Sequence, residues 1–188
     1  MRKRSLRMVV IALMAVSLFT PAFLREASAK STAQVDARLV KRVRHELATL
    51  PYYGVFDWLE FELRPDNTVV LRGQVVRPST KSDAEARVKD IEGVKGVINE
   101  IQVLPVSPED DRLRVALYRA LYNWDSPLFR YATQAIPSIH IIVDRGRATL
   151  KGVVDSKADA NLAYMRARAV PGLFDVKNEL LAGSEAAQ

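Results

Sequence analysis

The sequence predicts an α+β protein made of two tandem α-β-β-α-β domains, each a three-stranded mixed sheet with two helices packed on one face. Three observations predict it. A glycine-bearing strand pattern occurs twice, as Val69-Val70-Leu71-Arg72-Gly73-Gln74-Val75 and as Ala148-Thr149-Leu150-Lys151-Gly152-Val153-Val154, with the glycines 79 residues apart. An amphipathic helical pattern precedes each copy. A second helical pattern, a glycine turn and another strand follow each, and the strands carry Asn99-Glu100-Ile101 and Asn178-Glu179-Leu180, again 79 apart. Glycine weakens a strand, so its return at one place marks a repeated backbone requirement: close approach of a helix to the sheet, or a bend.

The chain opens on a segment that reads as a secretory signal peptide over residues 1–29. Arg2, Lys3, Arg4 and Arg7 give a basic start, Met8 to Phe19 an apolar run, and Ala27-Ser28-Ala29 a cleavage site of A-x-A form. The run is short of the ~20 apolar residues of a membrane span. A periplasmic or otherwise exported location follows. This segment holds five of the 28 basic residues and one of the 22 acids, so the remainder carries +2 where the full chain carries +6. The basic balance is thus largely a property of the leader, and a nucleic-acid partner loses its main support. The chain has no cysteine. No disulfide can form in an oxidising compartment, and no lipid can be attached to an N-terminal cysteine. Any membrane contact is then peripheral.

Residues 30–104 read as the first domain. After a polar lead, Val35, Leu39, Val43 and Leu47 recur every four residues and predict a helix to Ala48. Arg38, Lys41, Arg42 and His45 fall on its opposite side, as a solvated face or an anion-facing one. Pro51-Tyr52-Tyr53-Gly54 breaks the chain, and Trp58 to Leu63 alternates as a half-buried strand. Pro65-Asp66-Asn67 turns it into the glycine strand, which predicts an antiparallel hairpin. Thr80 and Asp83 have the spacing of a capping pair, with Pro78 at a helix start. Ala84, Val88 and Ile91 line the core side of that helix. Val97 to Leu104 is the third strand, parallel to its neighbour because a helix links them.

Pro105-Val106-Ser107-Pro108 is the linker, and residues 109–182 are the second domain. Its first helix has an acidic first turn, Glu109-Asp110-Asp111, and a core side of Leu113, Ala116, Leu117, Ala120, Leu121 and Trp124. Ile139 to Val143 is the next strand, with His140 set against Phe61 by repeat spacing. Ser156 and Asp159 cap the last helix, and Leu173 to Leu181 is the last strand. Val70, Val76, Ile98, Ile139 and Ile141 lie outside the core pattern and are candidates for contact between the domains. Residues 183–188 read as a disordered tail.

These patterns resemble the BON family, named for a bacterial osmotic-shock protein and nodulation proteins. The resemblance rests on Val69-x-Leu71-x-Gly73-x-Val75 with Val94-x-x-Val97-x-Asn99-x-Ile101, and on Leu150-x-Gly152-x-Val154 with Leu173-x-x-Val176-x-Asn178-x-Leu180. It implies the α-β-β-α-β fold, an envelope location, and binding to phospholipid membranes or other envelope components. It implies no catalytic residue and no cofactor.

The residues themselves agree on chemistry. His45 and His140 are the acid–base candidates, with Ser138 and Asp144 near the second. Strand neighbours rarely give the geometry of a nucleophile and its base. No cluster has metal-ligand spacing and no phosphate-binding loop appears, so no catalytic, metal or cofactor residue is expected. Asn99 and Asn178 are expected to bond local backbone, and Gly73 and Gly152 to serve the fold. Binding is expected on the helix near Glu109, where Arg114, Tyr118, Arg119 and Tyr122 combine phosphate-pairing and interfacial side chains. Tyr118 and Tyr122 could instead pack against a neighbouring domain. The face of Arg38, Lys41, Arg42 and His45 is the alternative anion site. The expected function is non-catalytic peripheral binding to anionic phospholipid in support of envelope integrity or osmotic-stress tolerance. The alternative is an interaction module for an envelope protein.

Overall fold

Apolar residues at helical and strand spacing build two similar halves. The computed structural model describes residues 37–134 and 136–183. The signal peptide, the polar lead, the start of the first helix at Val35, and all but the first residue of the tail lie outside them. Helix α1 spans residues 37–48. Strands β1 (Trp58–Leu63) and β2 (Thr68–Val75), helix α2 (Pro78–Lys89), and strands β3 (Gly96–Asn99) and β4 (Gln102–Val103) follow. The second half has helix α3 (Pro108–Leu121), a 3-10 turn (Pro127–Ala132), strands β5 (Ile139–Asp144) and β6 (Arg147–Val154), helix α4 (Lys157–Arg168) and strand β7 (Asp175–Ala182). In both sheets the glycine strand is central. β2 is antiparallel to β1 and parallel to β3 and β4, and β6 is antiparallel to β5 and parallel to β7.

Each half buries its own core. Leu39, Val43 and Leu47 of α1 meet Val69, Leu71 and Val75 of β2 and Ala84 and Val88 of α2. Leu117 and Leu121 of α3 meet Ile139, Ile141 and Val143 of β5, Leu150 of β6, and Ala163 and Ala167 of α4. Truncating such a buried Leu to Ala typically costs about 2–5 kcal/mol.

The repeated glycines serve a backbone contact. Gly73 has φ +123°, and a Cβ there would lie 1.9 Å from the Trp58 carbonyl oxygen. Gly152 has φ +124° and the same distance to Ser138. The close approach is therefore by the neighbouring strand, not by a helix. Only glycine satisfies both the conformation and the space.

Four expectations change in detail. Helix α2 starts at Pro78 with Arg77 in the capping position and no side-chain cap, so Thr80 lies inside the first turn and is buried rather than capping. Helix α3 stops at Leu121, so Trp124 leaves the core side for the surface, where it meets Phe129 edge-on. The third strand is split at Glu100 and Ile101. The last difference concerns β5. The first hairpin turns through Pro65-Asp66-Asn67, the second through only Arg145-Gly146, both at positive φ as a primed two-residue turn requires. The missing residue displaces β5 by one place relative to the glycine spacing. Leu59 pairs with Gly73 as Ile139 pairs with Gly152, so Ile141 matches Phe61 and His140 matches Glu60. Ile139 and Ile141 thereby join the core, and His140 and Ile142 occupy the opposite face.

That opposite face meets the first half. Lys151 pairs with Glu60 at 3.2 Å and lies over the Trp58 ring. The His140 ring sits between Tyr53 and Trp58, with centroids 5.6 and 5.0 Å away. Ile141 N–H donates to the Val55 carbonyl at 2.8 Å. From Asp36 onward the chain is one compact unit.

Candidate functional site

Helix α3 divides its polar residues between surface and interior. Its position is set at the N-terminus, where the Ser107 hydroxyl accepts from Asp110 N–H at 3.2 Å. The buried Asp110 carboxylate in turn accepts from Arg145 and Gly146 N–H at 3.0 and 2.8 Å. With Leu117 and Leu121 facing the sheet, Arg114 and Tyr122 are carried in beside them, at 3% and 6% exposure. The Arg114 guanidinium donates to Asp111 at 2.5 Å and to the Val143 carbonyl at 2.7 Å. Tyr122 donates to the Ile139 carbonyl at 2.7 Å, and burial pushes its hydroxyl pKa up. Of the four residues expected to meet lipid, Tyr118 and Arg119 reach solvent. Tyr118 also packs on Tyr122 and, edge-on, on Phe56 of the first half.

Helix α1 keeps its cations outside. Arg38, Lys41, Arg42 and His45 are all exposed and share one side of the helix. Arg42 has one distant acid, Glu92 at 3.9 Å, and the nearby Glu46 is taken by Arg87 at 3.3 Å. Arg38 and Lys41 have no acidic partner among the described residues. The aromatic residues after α1 mostly turn away from this side. Tyr53 is half-buried, with its hydroxyl pushed up to about 12 mainly by burial. Phe56 reaches α3, and Trp58 reaches His140. Tyr52 stays exposed, under the Arg77 guanidinium at 4.7 Å.

The repeated asparagines tie strand to helix. Asn99 Nδ2 donates to the Lys81 carbonyl at 3.1 Å, and its Oδ1 accepts from Ile101 N–H at 3.2 Å. Asn178 does the same with Ala160 at 3.0 Å and Leu180 at 3.2 Å. The expected local backbone bond is present, and each amide adds a bond to a helix carbonyl 18 residues earlier.

The histidines form no relay. His45 is exposed on α1. His140 is buried, and desolvation holds its pKa below the usual value against the opposing pull of the Asp57 and Gly54 backbone. Its Nδ1, the Ser138 hydroxyl and one Asp144 oxygen each lack a hydrogen-bond partner, so the three are not joined. Among the described residues no group of three His, Cys, Asp or Glu could hold a metal ion.

Two of the concavities adjoin the sheets of the first half. A polar cleft of about 370 Å³ between the sheets holds Lys151, Lys177, Glu179 and Gln74. Its lysines are largely neutralised, since Glu179 lies 3.1 Å from Lys151 and 2.5 Å from Lys177. An apolar groove of about 750 Å³ runs between α1 and β1. Neither the groove nor the buried carboxylate of Asp57, which accepts from Gly54 and Val76 N–H at 3.1 and 2.7 Å, has a signal in the sequence.

A family model described as the BON domain matches residues 36–105 and again 124–183. The chain belongs to the BON domain family. BON domains are non-catalytic binding domains that occur in envelope proteins, which gives this chain its broad class. The two matches leave out α3, the element whose Arg114, Tyr118 and Tyr122 distinguish the second BON copy from the first. No curated protein matches the chain. Among solved structures it is similar to CdsD, a structural protein of the type III secretion system of Chlamydia trachomatis, at 15% identity and a TM-score of 0.28, covering 80% of this chain and 95% of that one. A second CdsD structure, of the C-terminal domain, gives 14% identity and a TM-score of 0.28, covering 77% and 96%. At those values the likeness carries no argument about partners. Among the described residues no helix is long and apolar enough to cross a membrane.

Proposed function

We propose that this tandem BON protein binds anionic phospholipid surfaces of the cell envelope peripherally, through the exposed side of α1, and so supports envelope integrity under osmotic stress. The observation that carries this reading is the placement of Arg38, Lys41, Arg42 and His45. All four are exposed on one helix side, with a single acid nearby at 3.9 Å. Of these, Arg38 and Lys41 pair with lipid phosphates without first breaking an ion pair, and Arg42 has only the long contact to Glu92 to give up. Helix α3 supports the reading less, because Arg114 and Tyr122 are committed to interior bonds.

Co-sedimentation with phosphatidylglycerol and phosphatidylcholine vesicles tests it. Retention on phosphatidylglycerol that falls in Arg38→Ala/Lys41→Ala/Arg42→Ala and persists in Tyr118→Ala/Arg119→Ala is the expected result. Equal retention on both lipids, or loss only in the α3 variant, refutes it.

A further inference from the structure

The two BON copies treat one surface differently. In the second, the edge of β5 is covered by the chain itself. Ile141 N–H donates to the Val55 carbonyl at 2.8 Å, Phe56 packs edge-on against Tyr118 of α3, and both Val55 and Phe56 join that copy's core. A short turn of the first half, closed by Asp57 N–H donating to the Gly54 carbonyl at 3.1 Å, thus fills the groove between α3 and β5.

In the first copy the corresponding groove is open. Phe61 stands to Leu71 and Gly73 as Ile141 stands to Leu150 and Gly152. Its N–H therefore points off the free edge of β1, and no partner for it is found among the described residues. Leu59, Phe61 and Leu63 take the places of Ile139, Ile141 and Val143, and Val40 of α1 takes the place of Tyr118. Together with Leu47 they line about 750 Å³ of groove, with Arg44 also lining it from the helix.

We propose that the α1–β1 groove docks a short turn-forming peptide segment of a partner protein that carries an aliphatic–aromatic pair followed by an acid. A partner carbonyl accepts from Phe61 N–H, the aromatic ring enters between Val40 and Phe61, and the acid offsets the charge of Arg44. The internal occupant of the other groove has this chemistry, Val55-Phe56-Asp57. A carbonyl that accepts from a free edge amide gains a main-chain hydrogen bond, while pockets for the side chains give specificity. A lipid acyl chain would fill the apolar volume but leave the Phe61 amide without an acceptor. The site is separate from the cationic side of α1 and stands whether or not that side binds lipid.

The probe is the synthetic peptide Tyr-Gly-Val-Phe-Asp-Trp, the chain's own residues 53–58, titrated into the ¹⁵N-labelled chain. Saturable shifts at Val40, Phe61 and Leu63 are expected. At least tenfold weaker binding is expected for the peptide with Ala in place of Phe, and for Val40→Lys in the protein. The peptide change leaves the protein intact, so the proposal stays testable if Val40→Lys fails to fold. No saturable shifts, shifts confined to α3 and β5, or equal binding by the Ala peptide overturns the proposal. So do shifts at Phe61 produced by phosphatidylglycerol vesicles and not by the peptide, which would assign the groove to lipid.

Discussion

Replacing Gly152 with Ala should destabilise this protein strongly, as should Gly73→Ala at the matching place of the other sheet. The new Cβ would stand 1.9 Å from the Ser138 carbonyl oxygen, a backbone atom that cannot rotate away. The residue would also be held at φ +124°. A side chain kept in a region used essentially by glycine costs about 1–3 kcal/mol. Moving a packed backbone to relieve an overlap costs a further ~1–3 kcal/mol. The sum, about 2–6 kcal/mol, is a large part of the ~5–15 kcal/mol of a typical domain. At roughly 2–4 °C per kcal/mol for a chain of this size, Tm should fall by about 10 °C. Gly54→Ala is the control, since its Cβ would meet nothing within 4 Å. It should change stability by less than ~1 kcal/mol. Thermal unfolding followed by circular dichroism reads both. A Gly152→Ala protein melting within about 2 °C of wild type would refute the reasoning from strand contact.

Three further outcomes are expected. An anionic surface attracts each nearby Lys or Arg by about 1 kcal/mol, so Arg38→Ala/Lys41→Ala/Arg42→Ala should weaken vesicle partition by about 30- to 150-fold at low salt, the lower bound discounting Arg42 for its Glu92 partner; vesicle titration measures it. Asn178→Ala strands the Leu180 N–H and the Ala160 carbonyl bond, and should cost about 1–2 kcal/mol in urea denaturation, with Asn99→Ala alike. His140 should make the protein acid-sensitive. Burial lowers its pKa in the folded state, so the unfolded chain takes the proton first. Its stability contribution is full above the ordinary histidine value of 6.5 and declines as pH falls below it toward the lowered folded pKa. Urea midpoints from pH 7.5 to 5 should fall less steeply in His140→Gln than in wild type.

Much of the fold is legible from two periodicities. Leu39, Val43 and Leu47 announce α1, and the alternation of Leu59, Phe61 and Leu63 announces β1, because a one-sided core forces both spacings. Gly73 and Gly152 announce the repeat because their backbone need tolerates no substitute. Alignment on those glycines does not reveal the turn between β5 and β6, one residue shorter than its counterpart. In a strand a single residue exchanges the two faces, so His140 moves from an expected core place to the junction and Ile141 moves into the core. Charge misleads on α3. Arg114 looks like a surface cation, yet its guanidinium is buried and donates to the Val143 carbonyl, a partner that no local pattern announces. Phe56 lies in a connecting segment, and its reach to Tyr118 depends on how the halves meet. The exposure of the α1 side is legible because its one non-local contact, Arg42 to Glu92 at 3.9 Å, leaves the cations in solvent.

The seating of Val55 and Phe56 in the other copy limits what this duplication can still do. Repeats that merely adjoin can be reordered, trimmed or multiplied without harm. Here the first BON copy supplies a piece of the second copy's interior, and the second returns a lysine and a histidine to the face of the first. A second copy expressed alone would expose Ile141 N–H and the Tyr118 ring, and a first copy alone would leave Val55 and Phe56 in water. The two copies are thereby not interchangeable modules: their order is part of the fold.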